Sequence, residues 1–130
     1  MAQSAINDPP VVLLVEDELL VRMTAADELE EAGFQVLEAA NADAALTILE
    51  ARSDEVRVLF TDVHMPGSMD GMELAEQVHA RWPHVLLLIS SGYARPHPDE
   101  IPDHGRFIPK PYRAATLVGQ IYELLHRVER

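Results

Sequence analysis

Two short runs in this chain, Val11-Val12-Leu13-Leu14-Val15 and Val85-Leu86-Leu87-Leu88-Ile89, contain no polar residue. A strand with one face toward water alternates apolar and polar side chains, so a run that is apolar throughout must be covered on both faces. Each run stops abruptly, at Glu16-Asp17-Glu18 and at Ser90-Ser91. Both fall far short of the roughly 18 apolar residues that a membrane-spanning helix needs. They predict central strands of a parallel sheet.

The rest of the chain fits around them. Gln35 to Ala39 and Val56 to Thr61, the latter ending at Asp62, are two further strand candidates, and Phe107-Ile108-Pro109 is a short fifth. Between them lie helical patterns. From Glu18 to Ala32, Leu19, Met23, Ala26 and Leu29 recur at helical spacing, with Gly33 where a helix C-cap is expected. Asn41 is placed to cap a helix running to about Arg52, with Ala45, Ile48 and Leu49 inward. Met72 to Arg81 is a third helix, and Pro83 lies beyond its end. From Arg113, the stripe Ala114, Leu117, Val118, Ile121, Leu124, Leu125 and Val128 marks an amphipathic helix. Alternating strands and helices predict an α/β, doubly wound, flavodoxin-like sheet of five parallel strands in the order 2-1-3-4-5. Pro96, Pro98 and Pro102 interrupt the segment between the fourth and fifth strands. Proline inside a helix costs roughly 3 kcal/mol, so a loop or at most one turn is expected over 94–105, with the usual fourth helix short or missing.

The 130 residues suit one domain, expected over 11–130 behind a polar tail at 1–10. There is no cysteine, which excludes disulfides, thiol nucleophiles and thiolate metal sites. The start MAQSAINDPP lacks a basic segment and an apolar core, so no secretory signal is read there and a cytoplasmic location is expected. A net charge of -12 repels phosphate backbones, so direct nucleic-acid binding is not expected, and with no apolar run long enough to span a bilayer no membrane association is expected either.

In such a sheet, ligands bind at the carboxyl ends of the strands. Here those ends carry Glu16 and Asp17, Asp62, Ser90 and Ser91, and Lys110, the only lysine of the chain. Clustered carboxylates repel one another, and a divalent cation resolves the repulsion. Oxygen donors without sulfur point to Mg²⁺, or Mn²⁺ in its place. A cation, an ammonium and a hydroxyl around a carboxylate suit phosphoryl transfer, with the carboxylate able to act as nucleophile.

Taken together, VEDE at Glu16-Asp17, FTDVHMPG around Asp62, SSG at Ser91 and FIPKP at Lys110 resemble a response-regulator receiver domain of two-component signalling. The resemblance covers about residues 11 to 128. It implies that Asp62 is the phosphoacceptor, with Lys110 and Ser91 assisting. It implies that Asp17, Asp62 and the backbone carbonyl of His64 hold the metal, and that Glu16 acts indirectly. Ser91 and Phe107 match the family's switch pair. His64 and Tyr93, each two residues beyond a site residue, flank the acceptor and the switch serine and are candidates for setting phosphate lifetime. The implied donor is a sensor histidine kinase or a histidine phosphotransfer protein, and the implied output is a protein partner. The chain is read either as a stand-alone regulator or as the receiver of a hybrid kinase. Three departures stand out. Glu replaces the commoner Asp at 16, the loop GSMDG carries one residue more than the shorter family version, and Ser91 and Lys110 lie close in sequence for this family.

Two other function classes compete. A Mg²⁺-dependent phosphohydrolase with an Asp nucleophile uses a DxD pattern, but His64 stands where its acid would be. A phosphorylation-independent binding module would need neither metal nor acceptor. Individual residues also have plainer readings: the acidic groups as helix-end charges, Ser91 as a turn hydroxyl with Ser90 able to take its role, and Phe107 as core.

Overall fold

The computed structural model describes residues 9–92, 100–102 and 105–128. Five strands, β1 (Val11–Val15), β2 (Gln35–Ala39), β3 (Val56–Asp62), β4 (Leu86–Ser91) and β5 (Arg106–Pro109), form one sheet in the order β2-β1-β3-β4-β5. Every pairing is parallel. Four helices are found among the described residues: α1 (Leu19–Glu31), α2 (Ala42–Arg52), α3 (Gly71–Arg81) and α4 (Ala114–Val128). The doubly wound architecture read from the sequence is therefore the one observed.

Alternation along the strands sorts the core into two layers. Val12, Leu14, Val58, Phe60, Leu86, Leu88 and Ile108 pack with Ala25, Ala26 and Leu29 of α1 and Leu117, Ile121, Leu124 and Leu125 of α4. Leu13, Val15, Leu59, Leu87 and Ile89 pack on the other face with Ala45 and Leu49 of α2 and Leu74, Ala75 and Val78 of α3. All five residues of β1 are buried, as a central strand requires, whereas Gln35 and Glu38 on the edge strand β2 are exposed.

Some boundaries and faces differ from the sequence reading. Ser90 and Ser91 belong to β4 rather than following it, because their backbones continue the pairing with Asp62 of β3 and with Ile108 and Pro109 of β5. In α1 the buried positions are Ala25, Ala26 and Leu29, while Leu19 and Met23 are exposed at 55% and 49%. Helical spacing fixes the azimuth of a side chain but not how far along the axis a covering layer extends. Leu20, Val21 and Thr24 in these first turns line an open cleft. The expectation for 94–105 falls largely on 94–99 and 103–104, outside the described residues. Glu100 and Pro102 have 3₁₀-helical backbone with the buried Ile101 at a bend between them, and no α-helix occurs between β4 and β5 among the described residues. Most of the expected tail 1–10 likewise lies outside them.

Local chemistry sets the helix starts. Asn41 Oδ1 accepts from the Ala44 N–H at 2.8 Å. Asp70 and Glu73 form a reciprocal capping box at the start of α3, each bond 2.9 Å. The next residue, Gly71, donates its N–H to the Val63 carbonyl at 2.8 Å. A Cβ on Gly71 would overlap the Asp62 carbonyl oxygen, so α3 approaches the end of β3 more closely than any side chain permits. Gly71→Ala is expected to cost about 2 kcal/mol or more, at the upper range of overpacking penalties, measurable by urea unfolding.

Candidate functional site

The carboxyl ends of β1, β3 and β5 border a cleft of about 940 Å³, lined among others by Glu16, Asp17, Asp62, His64 and Lys110. It opens beside β1, where the chain's strand order reverses, which is where open α/β sheets place their ligand crevices. One carboxylate oxygen from each of Glu16, Asp17 and Asp62 lies within 4.8 Å of the others.

Lys110 joins two of the three. Its Nζ lies 2.6 Å from Glu16 Oε1 and 3.4 Å from Asp62 Oδ2. The second Glu16 oxygen accepts the Glu18 N–H at 3.1 Å, at the start of α1. The Glu16 side chain, 5% exposed, thus links the ends of β1 and β5 to a helix N-terminus. Its added methylene, relative to Asp, spans that distance. Both of its oxygens thus have protein donors, Lys110 Nζ and the Glu18 N–H.

The electrostatics follow. Burial raises the Asp62 pKa and the nearby Asp17 charge adds to this, while Lys110 and the Val63 N–H oppose it without cancelling it. Burial also raises Glu16, against the pull of Lys110 and the Glu18 N–H. For Lys110, burial alone would lower the pKa, but the Glu16 hydrogen bond and the charges of Asp62 and Glu16 outweigh it and hold the ammonium protonated. Tyr112, on the cleft wall, is pushed upward by burial and then by Glu16, Glu28 and Asp62. One ammonium therefore faces an excess of partly desolvated negative charge, a donor set of hard oxygens that suits a divalent cation.

The remaining sequence candidates are placed as follows. Ser90 pairs in register with Asp62, is 1% exposed, and its Oγ has no hydrogen-bond partner among the described residues. Ser91 is 2% exposed, and its carbonyl accepts the Lys110 N–H at 3.1 Å. Continuing the strand alternation, Ser91 follows Leu87 and Ile89 on the α2/α3 face, the face against which the half-buried Phe107 packs. The two proposed switch residues thus share a side of the sheet. His64 is exposed at the cleft, Tyr93 lies outside the described residues, and the Lys110–Pro111 peptide is cis.

Sequence reading missed several contributors. Arg22 of α1 reaches the Glu16 carbonyl and Glu38 of β2. Ser68, in the long loop, donates to Asp43 Oδ1 at 2.9 Å and ties that loop to the start of α2. Gly71 supports the Asp62 backbone. Only the Asp70–Gly71 pair carried a local signal, the spacing of a capping box to Glu73.

Comparison with known proteins agrees with this geometry. Residues 12–122 match the family model described as the response regulator receiver domain. The chain is 36% identical over 119 residues to the sensor kinase CckA of Brucella abortus, covering 89% of this chain but 12% of that protein. It is 31% identical over 117 residues to the response regulator receiver protein CpdR of the same organism, covering 88% of this chain and 95% of CpdR. A crystal structure of the receiver domain from the hybrid histidine kinase CckA superimposes with a TM-score of 0.78 at 34% identity, over 88% of this chain and 98% of that one. With the sheet order, the acidic cleft and the lysine at the end of β5 already in view, these matches make the chain a member of the response-regulator receiver domain family of two-component signalling.

Proposed function

We propose that Asp62 is the phosphoacceptor of this receiver and takes its phosphoryl group from a phosphohistidine on a sensor histidine kinase or histidine phosphotransfer protein. The observation that carries this reading is the convergence of Glu16, Asp17 and Asp62 around a single ammonium. In the transfer, an Asp62 carboxylate oxygen attacks phosphorus. The P–N bond to the donor imidazole breaks, its electron pair stays on the leaving nitrogen, and an acyl phosphate forms on Asp62. Asp17, Asp62 and the His64 backbone carbonyl would hold Mg²⁺ or Mn²⁺, with Glu16 acting at one remove. The ion supplies positive charge against the phosphoryl oxygens.

The chain's own groups do the rest. Lys110 contributes a second positive charge, and its contact with Asp62 already aims it toward the acceptor. Ser91 then holds the phosphate, and its movement is coupled to Phe107 on the same sheet face, which shifts a surface that a downstream protein partner reads. His64 and Tyr93 set the access of water, and so the phosphate lifetime. The domain signals through its own modification and through binding, and residues 11–130 are taken as the receiver unit. Beside the cleft, Leu19, Leu20 and Met23 of α1 are 55%, 73% and 49% exposed, an apolar rim against which the phosphohistidine donor docks.

Three outcomes are expected. Asp62→Asn abolishes labelling by a radioactive phosphohistidine donor, and retained labelling would place the acceptor elsewhere. The same variant raises thermal stability at neutral pH in the absence of metal. The sign follows from the raised Asp62 pKa: the ionised carboxylate costs stability that is recovered as pH falls through that pKa, so the gain from Asn shrinks on acidification. Met23→Asp, on the same rim but off the cleft lining, slows transfer from the protein donor by about tenfold, the equivalent of ~1.4 kcal/mol, while leaving labelling by acetyl phosphate intact.

A further inference from the structure

Asp17 is exposed, and among the described residues no hydrogen bond holds its carboxylate. Its position therefore rests on its backbone. That backbone belongs to a short connection, Glu16-Asp17-Glu18, between the end of β1 and the start of α1. The Glu16 N–H remains tied to the sheet, donating to the Ala39 carbonyl at 3.0 Å. The Glu16 carbonyl, which shares its peptide plane with the Asp17 nitrogen, accepts instead from Arg22 Nη1 at 2.7 Å. Arg22 is itself aimed: its Nε donates to Glu38 Oε1 of β2 at 3.2 Å, and its side chain is 16% exposed. One guanidinium thus spans from α1 to the end of β1 and to the edge strand, using two different nitrogens.

We propose that Arg22 is a positioning residue for Asp17: it locks the Glu16–Asp17 peptide, Glu38 orients it, and together they set where the Asp17 carboxylate meets a divalent cation. This rests on the reading of Asp17 as a metal arm. The geometry calls for arginine, because the planar fork presents donors in fixed directions to both acceptors, whereas lysine offers one compact charge. The contribution to global stability is small, because Glu38 is 43% exposed and such pairs are weakly stabilising. Groups that orient a metal ligand act mainly on metal affinity, with losses of about tenfold to a hundredfold when they are removed.

The test is Mg²⁺ titration of the full chain by calorimetry, run beside metal-free thermal unfolding. Arg22→Gln should weaken Mg²⁺ binding about tenfold with little change in metal-free unfolding temperature. Arg22→Lys should recover part of the loss. Glu38→Gln should weaken binding less, and should add nothing in an Arg22→Gln background, since both act through one contact. At saturating Mg²⁺, phosphoryl labelling of Arg22→Gln should return to the wild-type level. Unchanged Mg²⁺ affinity in Arg22→Gln, independent losses from the two sites, or labelling that stays low at saturating metal would each overturn the assignment. If Arg22→Gln does not fold, Arg22→Lys and Glu38→Gln carry the same comparison. A wild-type chain that binds no Mg²⁺ would overturn the metal reading and this inference with it. A wild-type chain that binds Mg²⁺ beside an unaffected Arg22→Gln overturns the inference alone.

Discussion

The contact between Lys110 and Glu16, 2.6 Å long and largely removed from water, holds together what would otherwise separate. Three carboxylates within 4.8 Å of one another repel, and burial sharpens the repulsion. The ammonium neutralises part of it, yet Asp62 and Glu16 both keep raised pKa values, so the compensation is incomplete. That residual excess makes the site receptive to a doubly charged cation and then to a phosphoryl group. A fully neutralised cluster would have less to gain from either.

This arrangement needs a scaffold that brings distant segments to one edge. Glu16 and Lys110 are 94 residues apart in sequence. Parallel strands solve the problem because every strand delivers its carboxyl end to the same side, and right-handed crossovers return each helix to cover a face. The neighbour relations β1-β3-β4-β5 then set Glu16, Asp62, Ser90 and Lys110 in adjacent positions. Covering both faces with helices keeps the interior dry up to the strand ends, where Thr61, Ser90 and Ser91 are still buried.

What could be read from the sequence was whatever depends on local pattern. The all-apolar runs located β1 and β4, and the polar residues that end each strand located Glu16, Asp17, Asp62 and Lys110. Within the stripe on α4, Leu117, Ile121, Leu124 and Leu125 form one continuous buried row, with Val118 packed partly against it. Leu19 and Met23 share the helical spacing of Ala26 and Leu29 and yet are exposed, because spacing says nothing of where the sheet ends beneath a helix. Arg22 had no signal at all: its partners are a backbone carbonyl and the edge-strand Glu38, related only by the fold. The value of glycine at 71 was equally hidden, since it depends on how near Asp62 the next helix begins.

That same close approach settles where the loop after β3 tolerates change. With Gly71 seated against the Asp62 carbonyl, the downstream end of the loop is pinned, and any added length has to be absorbed upstream. Gly67, at φ 118, and Ser68 lie in that upstream stretch, and Ser68 reaches Asp43 at the start of α2. The loop of this chain therefore has two distinct parts: a downstream seat fixed against the end of β3, and an upstream arm that Ser68 ties to the second helix through Asp43.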